Sequence, residues 1–452
     1  MKKVLFIAGT SLSPFNTMLT IAKHIQKHSD EYEPFFILSN SQFEVKVKDL
    51  EAVGIDYKRL YANTSSNFVK KNESLLRKVY KGLQKTSLFL YLNSIRIYKQ
   101  LVSNYKKIDD ICKNMDIQAI FIPCDRCGGY ENIFLKYAKE NHIKSFVFPY
   151  AYTDPVSRLD RRFDKDELCF DVVKSPWINF MIEKKYSKQV FEHDGLKSLF
   201  YPADYVLAIS KFGSLALDPW NIGGSGMIDY ICLQGEQEKD KSISLGIKDD
   251  LYTTGHPEHD LLYESFLEKD KVKDELINKF GLDSSKKIVI LALPQWYENK
   301  VLNREDSDKY HKLLVKSILS SDVNLLISLH PKMDVEYYKK SLADVNILEQ
   351  SLSSCLPIAD VFVSGFVGTS TWAMLLGIPT VLMNEFDFKY EYIASLKGIL
   401  KTDRETFAKE VNRLLEDESY YKLVKSYQDE SSKYFAKFDG NVNKRFLELI
   451  KE

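Results

Sequence analysis

Nine short stretches of this chain are apolar at nearly every position, and no other feature limits its possible folds as much. Five lie in the first half: Val4–Ala8, Pro34–Leu38, Ala119–Pro123, Ser145–Pro149 and Tyr205–Ser210. Four lie in the second: Ile288–Leu293, Val323–Leu329, Val361–Ser364 and Thr380–Met383. A strand with one wet face alternates apolar and polar residues, whereas a strand apolar throughout is covered on both faces, as in a parallel sheet between helix layers. Helical spacing follows the first run at Met18, Leu19, Ile21, Ala22 and Ile25, and Glu131–Asn141 is a helix between the third and fourth runs. Gly246–Gly255 carries the chain across to a second set of repeats. The pattern predicts two doubly wound α/β domains, with Tyr205–Ser210 as the last core strand of the first. Ligands of such sheets bind outside the carboxyl ends of the strands, so the expected site is a cleft between two facing domains.

Composition narrows the function. Lys plus Arg and Asp plus Glu both number 63 in 452 residues, so no net field draws in nucleic acid and no nucleic-acid partner is expected. The six cysteines are sparse and mostly sit in or next to apolar runs, which implies a reducing cytoplasm, with Cys124 and Cys127 read as buried thiols. The apolar run after Lys3 stops at Gly9 and is shorter than a secretion signal, and no window of 18 apolar residues occurs. Tyr61–Lys107 carries ten Lys or Arg against one acid, Glu73, on a helical pattern with apolar faces. Two readings stand for it: helices packed on the sheet, or a peripheral contact with an anionic membrane.

Three elements at strand ends can hold an anion. Ser364-Gly365-Phe366-Val367-Gly368-Thr369-Ser370-Thr371 joins a buried strand to a helix, so hydroxyls and unsatisfied N–H groups collect where the helix dipole favours a phosphate. A plain helix cap is the alternative. His330-Pro331-Lys332 ends the strand before it, with the imidazole and ammonium available to a phosphate. Pro294–Asn299 ends a third strand, offering Gln295 and Glu298 and placing Trp296 where it could stack on a base. In the first half, Gly9-Thr10 closes the first strand, and Asp125 and Asp154 follow later strands. A carboxylate there within reach of a hydroxyl can act as general base, and Asp125 is the first choice, with a structural pair to Arg126 as the alternative. Gly223–Gly226 reads as a flexible loop. Cys124 and Cys127 lack a second ligand pair for zinc, His256-Pro257-Glu258-His259 lacks the order of a metalloprotease helix, and neither GxSxG nor GxxxxGK[ST] occurs. No metal site and no cofactor are expected.

These motifs resemble the GT-B superfamily of nucleotide-sugar glycosyltransferases and the related non-hydrolysing UDP-N-acetylglucosamine 2-epimerases. Thr254-Gly255-His256-Pro257-Glu258-His259-Asp260 looks like the epimerase TGN-x-x-x-D element, and His330-Pro331 like the HP element shared with sialyl-, Kdo- and glycerophosphate transferases. The epimerase pair of glutamates after Ser-Gly-Gly is absent, and only Glu298-Asn299 remains of His-Arg-Arg-Glu-Asn. The Ser/Thr cluster after an HP element is instead similar to CMP-sugar transferases. The resemblance implies two Rossmann-like parallel-sheet domains facing across a cleft. Residues 1–245 form the acceptor side, with the basic insert near 61–107, and 246–452 form the donor side, the last helix a candidate for crossing back. It further implies a metal-independent transferase moving a sugar, from a CMP-sugar or alternatively a UDP-sugar, to a cell-surface glycan or lipid-linked precursor of capsule or lipopolysaccharide type. The setting would be the cytoplasm or the inner face of its membrane. Donor contacts would come from Gly9, Thr10, Gly255, His256, Gln295, Trp296, Glu298, Lys332, Ser364, Gly365, Gly368, Thr369, Ser370 and Thr371, and catalysis from Asp125 or Asp154 with His330. An epimerase or hydrolase, and a non-catalytic sugar-nucleotide-binding subunit of an assembly complex, are the competing expectations.

Overall fold

The computed structural model describes the chain apart from residues 10, 62–86, 127, 149, 151–154, 161–175, 248–249, 343–344, 366–367 and 386–395, with 157, 158, 160 and 176 described by backbone alone. Two compact units form: Met1–Pro257 with Asn443–Glu452, and Glu258–Val442.

The first unit holds strands β1 (Lys2–Ala8), β2 (Tyr32–Leu38), β3 (Asp56–Arg59), β4 (Ile117–Ile122), β5 (Lys144–Val147), the hairpin β6 (Val190–His193) and β7 (Leu196–Leu199), β8 (Tyr230–Leu233) and β9 (Leu251–Thr253). Seven of these make one parallel sheet in the order β3-β2-β1-β4-β5-β8-β9. Its register pairs Phe6 with both Phe36 and Phe121. Phe36, Phe6, Phe121, Phe146 and Tyr230 therefore stack across five strands, at successive ring-centroid distances of 5.1, 5.0, 4.7 and 4.3 Å. Each aromatic pair adds about 0.5–1.5 kcal/mol beyond its burial. The opposite face, with Leu5, Ile7, Ile37, Ile120 and Ile122, is covered by helices that include Ser87–Cys112, Tyr130–Glu140 and Ala203–Phe212. Both faces are buried, as the apolar runs require.

Tyr205–Ser210 is not a strand. It lies in the helix Ala203–Phe212, whose Val206, Ile209 and Phe212 recur every three residues on the buried side, and Gly213 ends it at φ +81°. A short apolar run carries no periodicity that separates buried strand from buried helix. The sheet is completed by β8 and β9, and because Ile231 pairs with Leu251 the first unit continues past residue 245. The end of the terminal helix Val442–Lys451 packs in the first unit: Phe446 meets the ring of Phe121 edge-on at 5.9 Å and Arg445 Nε donates to the Thr254 carbonyl at 2.7 Å. Residues 62–86 of the basic stretch lie outside the described residues. Its residues 87–107 enter the helix Ser87–Cys112, which buries Ser94, Leu101 and Ile108 at seven-residue intervals.

The second unit has a six-stranded parallel sheet of β10 (Ile288–Ala292), β11 (Asn324–Ser328), β12 (Asn346–Ile347), β13 (Val361–Ser364), β14 (Thr380–Met383) and β15 (Ile399–Thr402), in the order β12-β11-β10-β13-β14-β15. Val289, Leu291, Ile327 and Val363 fill one face and Ile288, Ile290, Leu326 and Phe362 the other. Each sheet reverses its strand order once, between β1 and β4 and between β10 and β13. Such switch points open a crevice outside the carboxyl ends of the strands.

Candidate functional site

In the second unit, Ser328, Ala292 and Ser364 pair in one row across β11, β10 and β13. The segments that follow this row, His330–Lys332, Pro294–Asn299 and Gly365–Thr371, therefore leave the sheet on the same edge. His330 is half-buried, and its Nδ1 accepts the Lys332 backbone N–H at 3.1 Å. That bond fixes the neutral ring with its proton on Nε2, the nitrogen left to face a ligand. Burial, then the Lys332 ammonium, lower the His330 pKa, while Glu298 acts in the opposite sense. The imidazole is thus a neutral hydrogen-bond donor. Lys332 is exposed.

Around this turn, the described residues Ser364, Gly365 and Gly368–Thr371 divide into an inner and an outer set. Ser364 and Ser370 are fully buried and hydrogen-bond to each other at 3.0 Å, and Thr371 Oγ1 donates to the Gly368 carbonyl at 2.7 Å. Those three hydroxyls hold the turn together. Gly368 is exposed, with open space for 4 Å around the point where a Cβ would stand, and Thr369 is half-buried. They stand at the head of the helix Ser370–Leu375, where the Thr371 and Trp372 N–H groups are taken by the Gly368 and Thr369 carbonyls at 3.1 and 3.0 Å, so the donors to consider are those of Gly368, Thr369 and Ser370. At Gly365 a Cβ would approach Pro294 Cβ to 2.8 Å, so glycine lets β13 and the end of β10 pack closely.

Trp296 is not a base-stacking residue. It is 4% exposed and lies parallel to the His311 ring at 5.4 Å, within the core beneath β10. His311 in turn bonds the Pro294 carbonyl at 2.8 Å and so fixes the start of the loop. Burial lowers the pKa of His311. Gln295 is half-buried; Glu298 accepts from the Tyr338 hydroxyl at 3.1 Å and stands 3.7 Å from Arg304. Arg304 is absent from the sequence expectations. Its guanidinium lies 3.8 Å from the centre of the Tyr297 ring and 4.2 Å from that of Tyr337, which presents a stiffened cation beside Glu298. The signal for it was Asn303, whose side chain caps the helix Arg304–Ile318 directly after the β10 loop.

In the first unit, Asp125 lies past the end of β4, but its carboxylate is fully buried and accepts the Gly223 and Ser225 N–H groups at 3.2 and 3.0 Å. Arg126 reaches the same segment, donating to the Pro219 and Trp220 carbonyls. The two residues clamp the 219–226 segment instead of pairing with each other, so Gly223–Gly226 is a held loop and Asp125 has no surface from which to take a proton. Asp154 and Thr10 lie outside the described residues. Gly9 is a packing glycine: its carbonyl accepts from Ser39 Oγ at 2.6 Å and Asn40 Nδ2 at 2.8 Å, and a Cβ there would overlap the buried Glu131 carboxylate. Gly255 (φ +95°) and the buried His256 belong to the first unit, where Gly255 N donates to the Leu233 carbonyl at 3.0 Å. Cys124 is disulfide-bonded, not the thiol expected.

No family model and no curated protein matches the chain. Solved structures do. The UDP-GlcNAc 2-epimerase of Neisseria meningitidis, bound to UDP-GlcNAc, aligns over 100% of both chains at 15% identity and a TM-score of 0.55. S. aureus MnaA in complex with UDP aligns over 100% of this chain and 96% of its own at 14% identity and 0.53. The wall teichoic acid polymerase TagF aligns over 100% of this chain and 88% of its own at 14% identity and 0.52. With its two parallel sheets, this chain has the GT-B fold.

Proposed function

We propose that the chain is a metal-independent glycosyltransferase that moves a sugar from a nucleotide donor to a hydroxyl of a glycan or lipid-linked acceptor. The observation that carries this reading is the edge of the second sheet, where a neutral Nε2–H imidazole and the Lys332 ammonium follow β11 and the N–H groups at Gly368–Ser370 follow β13, with β10 between them. His330 and the Gly368 turn follow strands two apart, about 10 Å at strand spacing. Two phosphates span that separation more readily than one, so a nucleoside diphosphate donor is favoured over the CMP-sugar first expected. The neighbouring structures with UDP-GlcNAc, UDP and CDPG bound or soaked in support the same class. In the reaction the acceptor oxygen bonds to the anomeric carbon, the bond from that carbon to the phosphate oxygen breaks, and the hydroxyl proton passes to a base. Donors aimed at the departing phosphate stabilise the charge it gains. With Asp125 buried, the base role passes to Asp154. Exposed Leu88, Tyr91 and Leu92 support a peripheral membrane contact near the basic stretch.

An epimerase on this scaffold is the second reading, supported by the retained Glu298 and its fixed geometry. The deciding experiment combines thermal stabilisation by UDP, CDP and CMP with turnover of a matched donor, with and without acceptor. Diphosphates are expected to stabilise most, and His330→Ala to weaken binding about ten- to a hundredfold, as for a lost hydrogen bond to a charged group. Conversion of donor to its epimer without acceptor would select the second reading. Binding without turnover in any pairing would leave a sugar-nucleotide-binding subunit.

A further inference from the structure

In the first unit, the helices Ser87–Cys112, Tyr130–Glu140 and Ala203–Phe212 surround a cavity of about 550 Å³ beside the Gly128–Gly129 turn. Among the described residues, no charged side chain lines it. Its floor is apolar, its walls carry the rings of Tyr130, Tyr201 and Tyr205, and its rim carries the carboxamides of Gln100 and Asn104. The two carboxamides sit one helical turn apart and so share a helix face. Neither hydrogen-bonds to a described residue. Tyr201 and Tyr205 form a tilted pair, 5.5 Å between centroids and 49° between planes. The Tyr201 hydroxyl donates to the Arg126 carbonyl, so this residue offers only its ring. The Tyr205 oxygen accepts Gly129 N–H at 2.8 Å, and among the described residues its proton has no acceptor. Burial raises the Tyr130 and Tyr205 pKa values, which keeps both phenols as donors.

Each feature removes a ligand class. Phosphates and carboxylates would find no counter-charge in the described lining to offset the water they give up. A wholly apolar chain would leave the phenolic proton of Tyr205 covered and unpaired and would make no use of the rim carboxamides. What remains is a neutral molecule with an apolar face and a hydrogen-bonding edge. A pyranose ring has that form: its C–H face lies on an aromatic ring and its hydroxyls reach the amides. The volume is within the ordinary range for small-ligand sites, roughly 300–1,000 Å³.

We propose that this cavity binds an uncharged sugar residue of the glycan acceptor. The acceptor role rests on the transferase reading; the binding itself does not. Saturation-transfer NMR on the full chain, with methyl glycosides of glucose, galactose, N-acetylglucosamine and N-acetylgalactosamine, tests it. Methyl sialoside, adenosine and hexyl alcohol serve as charged, planar and apolar controls. At least one neutral glycoside is expected to saturate, with its dissociation constant raised tenfold or more in the Gln100→Leu/Asn104→Leu double variant. Both positions lie at the surface end of the cavity, and an unchanged melting curve by circular dichroism reports that the variant is folded, while UDP stabilisation of the same samples reports nucleotide binding separately. Saturation only by a control, no saturation by any neutral glycoside, or unchanged affinity in the folded double variant would each overturn the proposal. Glycoside binding alongside absent nucleotide binding would sink the transferase reading and leave this site standing.

Discussion

At the scale of single residues, burial separates chemistry from scaffolding among groups that look alike in sequence. Asp125 and Asp154 both follow first-unit strands, and only burial and partners show that the Asp125 carboxylate holds two N–H groups of a loop. The same holds for the Ser364–Thr371 cluster, where Ser364, Ser370 and Thr371 face inward and Thr369 does not. Residue type and position after a strand are legible in the sequence; the direction of a side chain is not, because the neighbours that satisfy it come from distant segments. Asp125→Ala is therefore expected to cost about 2–4 kcal/mol of stability, since two buried N–H groups lose a charged acceptor. At temperatures where the variant remains folded, its turnover should stay near the parent value. On the proposed base role, Asp154→Asn should lower turnover by a hundredfold or more. Calorimetry and initial rates on both variants decide it, and loss of turnover in folded Asp125→Ala alone would return the base role to that residue.

At the scale of elements, eight of the nine apolar runs are strands, and the exception identifies the limit of the signal. Ala203–Phe212 is as apolar as its neighbours, and only the three-residue recurrence of Val206, Ile209 and Phe212, closed by Gly213, marks it as a helix. The strands that escape the pattern are short or at an edge. β3 reads Asp-Tyr-Lys-Arg because it has a neighbour on one side only, and β9 has three residues. Position within the sheet also decides the β10 loop, which His311 anchors from the helix Arg304–Ile318. Its lowered pKa gives a signed expectation. The unfolded chain takes up a proton near pH 6.5 while the folded imidazole resists it, so the contribution of His311 is present above that pH and lost as pH falls towards the folded value. His330 adds a change of the same sign. In His311→Phe the Pro294 carbonyl loses its partner and stability drops at all pH, by about 1–3 kcal/mol. The further decline between pH 7 and pH 5.5 should be shallower than in the parent, by up to about 1.4 kcal/mol per pH unit. Urea unfolding at both pH values measures this; parallel declines would mean that His311 does not titrate on unfolding.

At the scale of the whole molecule, the recurrence of strand and helix repeats is the legible part, and the point where one unit gives way to the other is not. β8 and β9 continue the first sheet through Thr253, and the terminal helix contributes Phe446 to the first unit, next to Phe121. Neither follows from local pattern, because both depend on pairing across long stretches of chain. Each unit has its own hydrophobic clusters, around Leu5 and Ile120 in the first and around Val289 and Phe362 in the second. A ligand held only by the second unit should therefore raise the opening free energy of that unit by about 2.7 kcal/mol at a hundredfold excess over its dissociation constant. In amide exchange with UDP at that excess, peptides covering β10, β11 and β13 should slow by about a hundredfold, while those covering β1 and β4 keep their rates. Equal slowing in both units would show that they open together, and slowing confined to β1 and β4 would move the nucleotide site to the first unit and remove His330 from it.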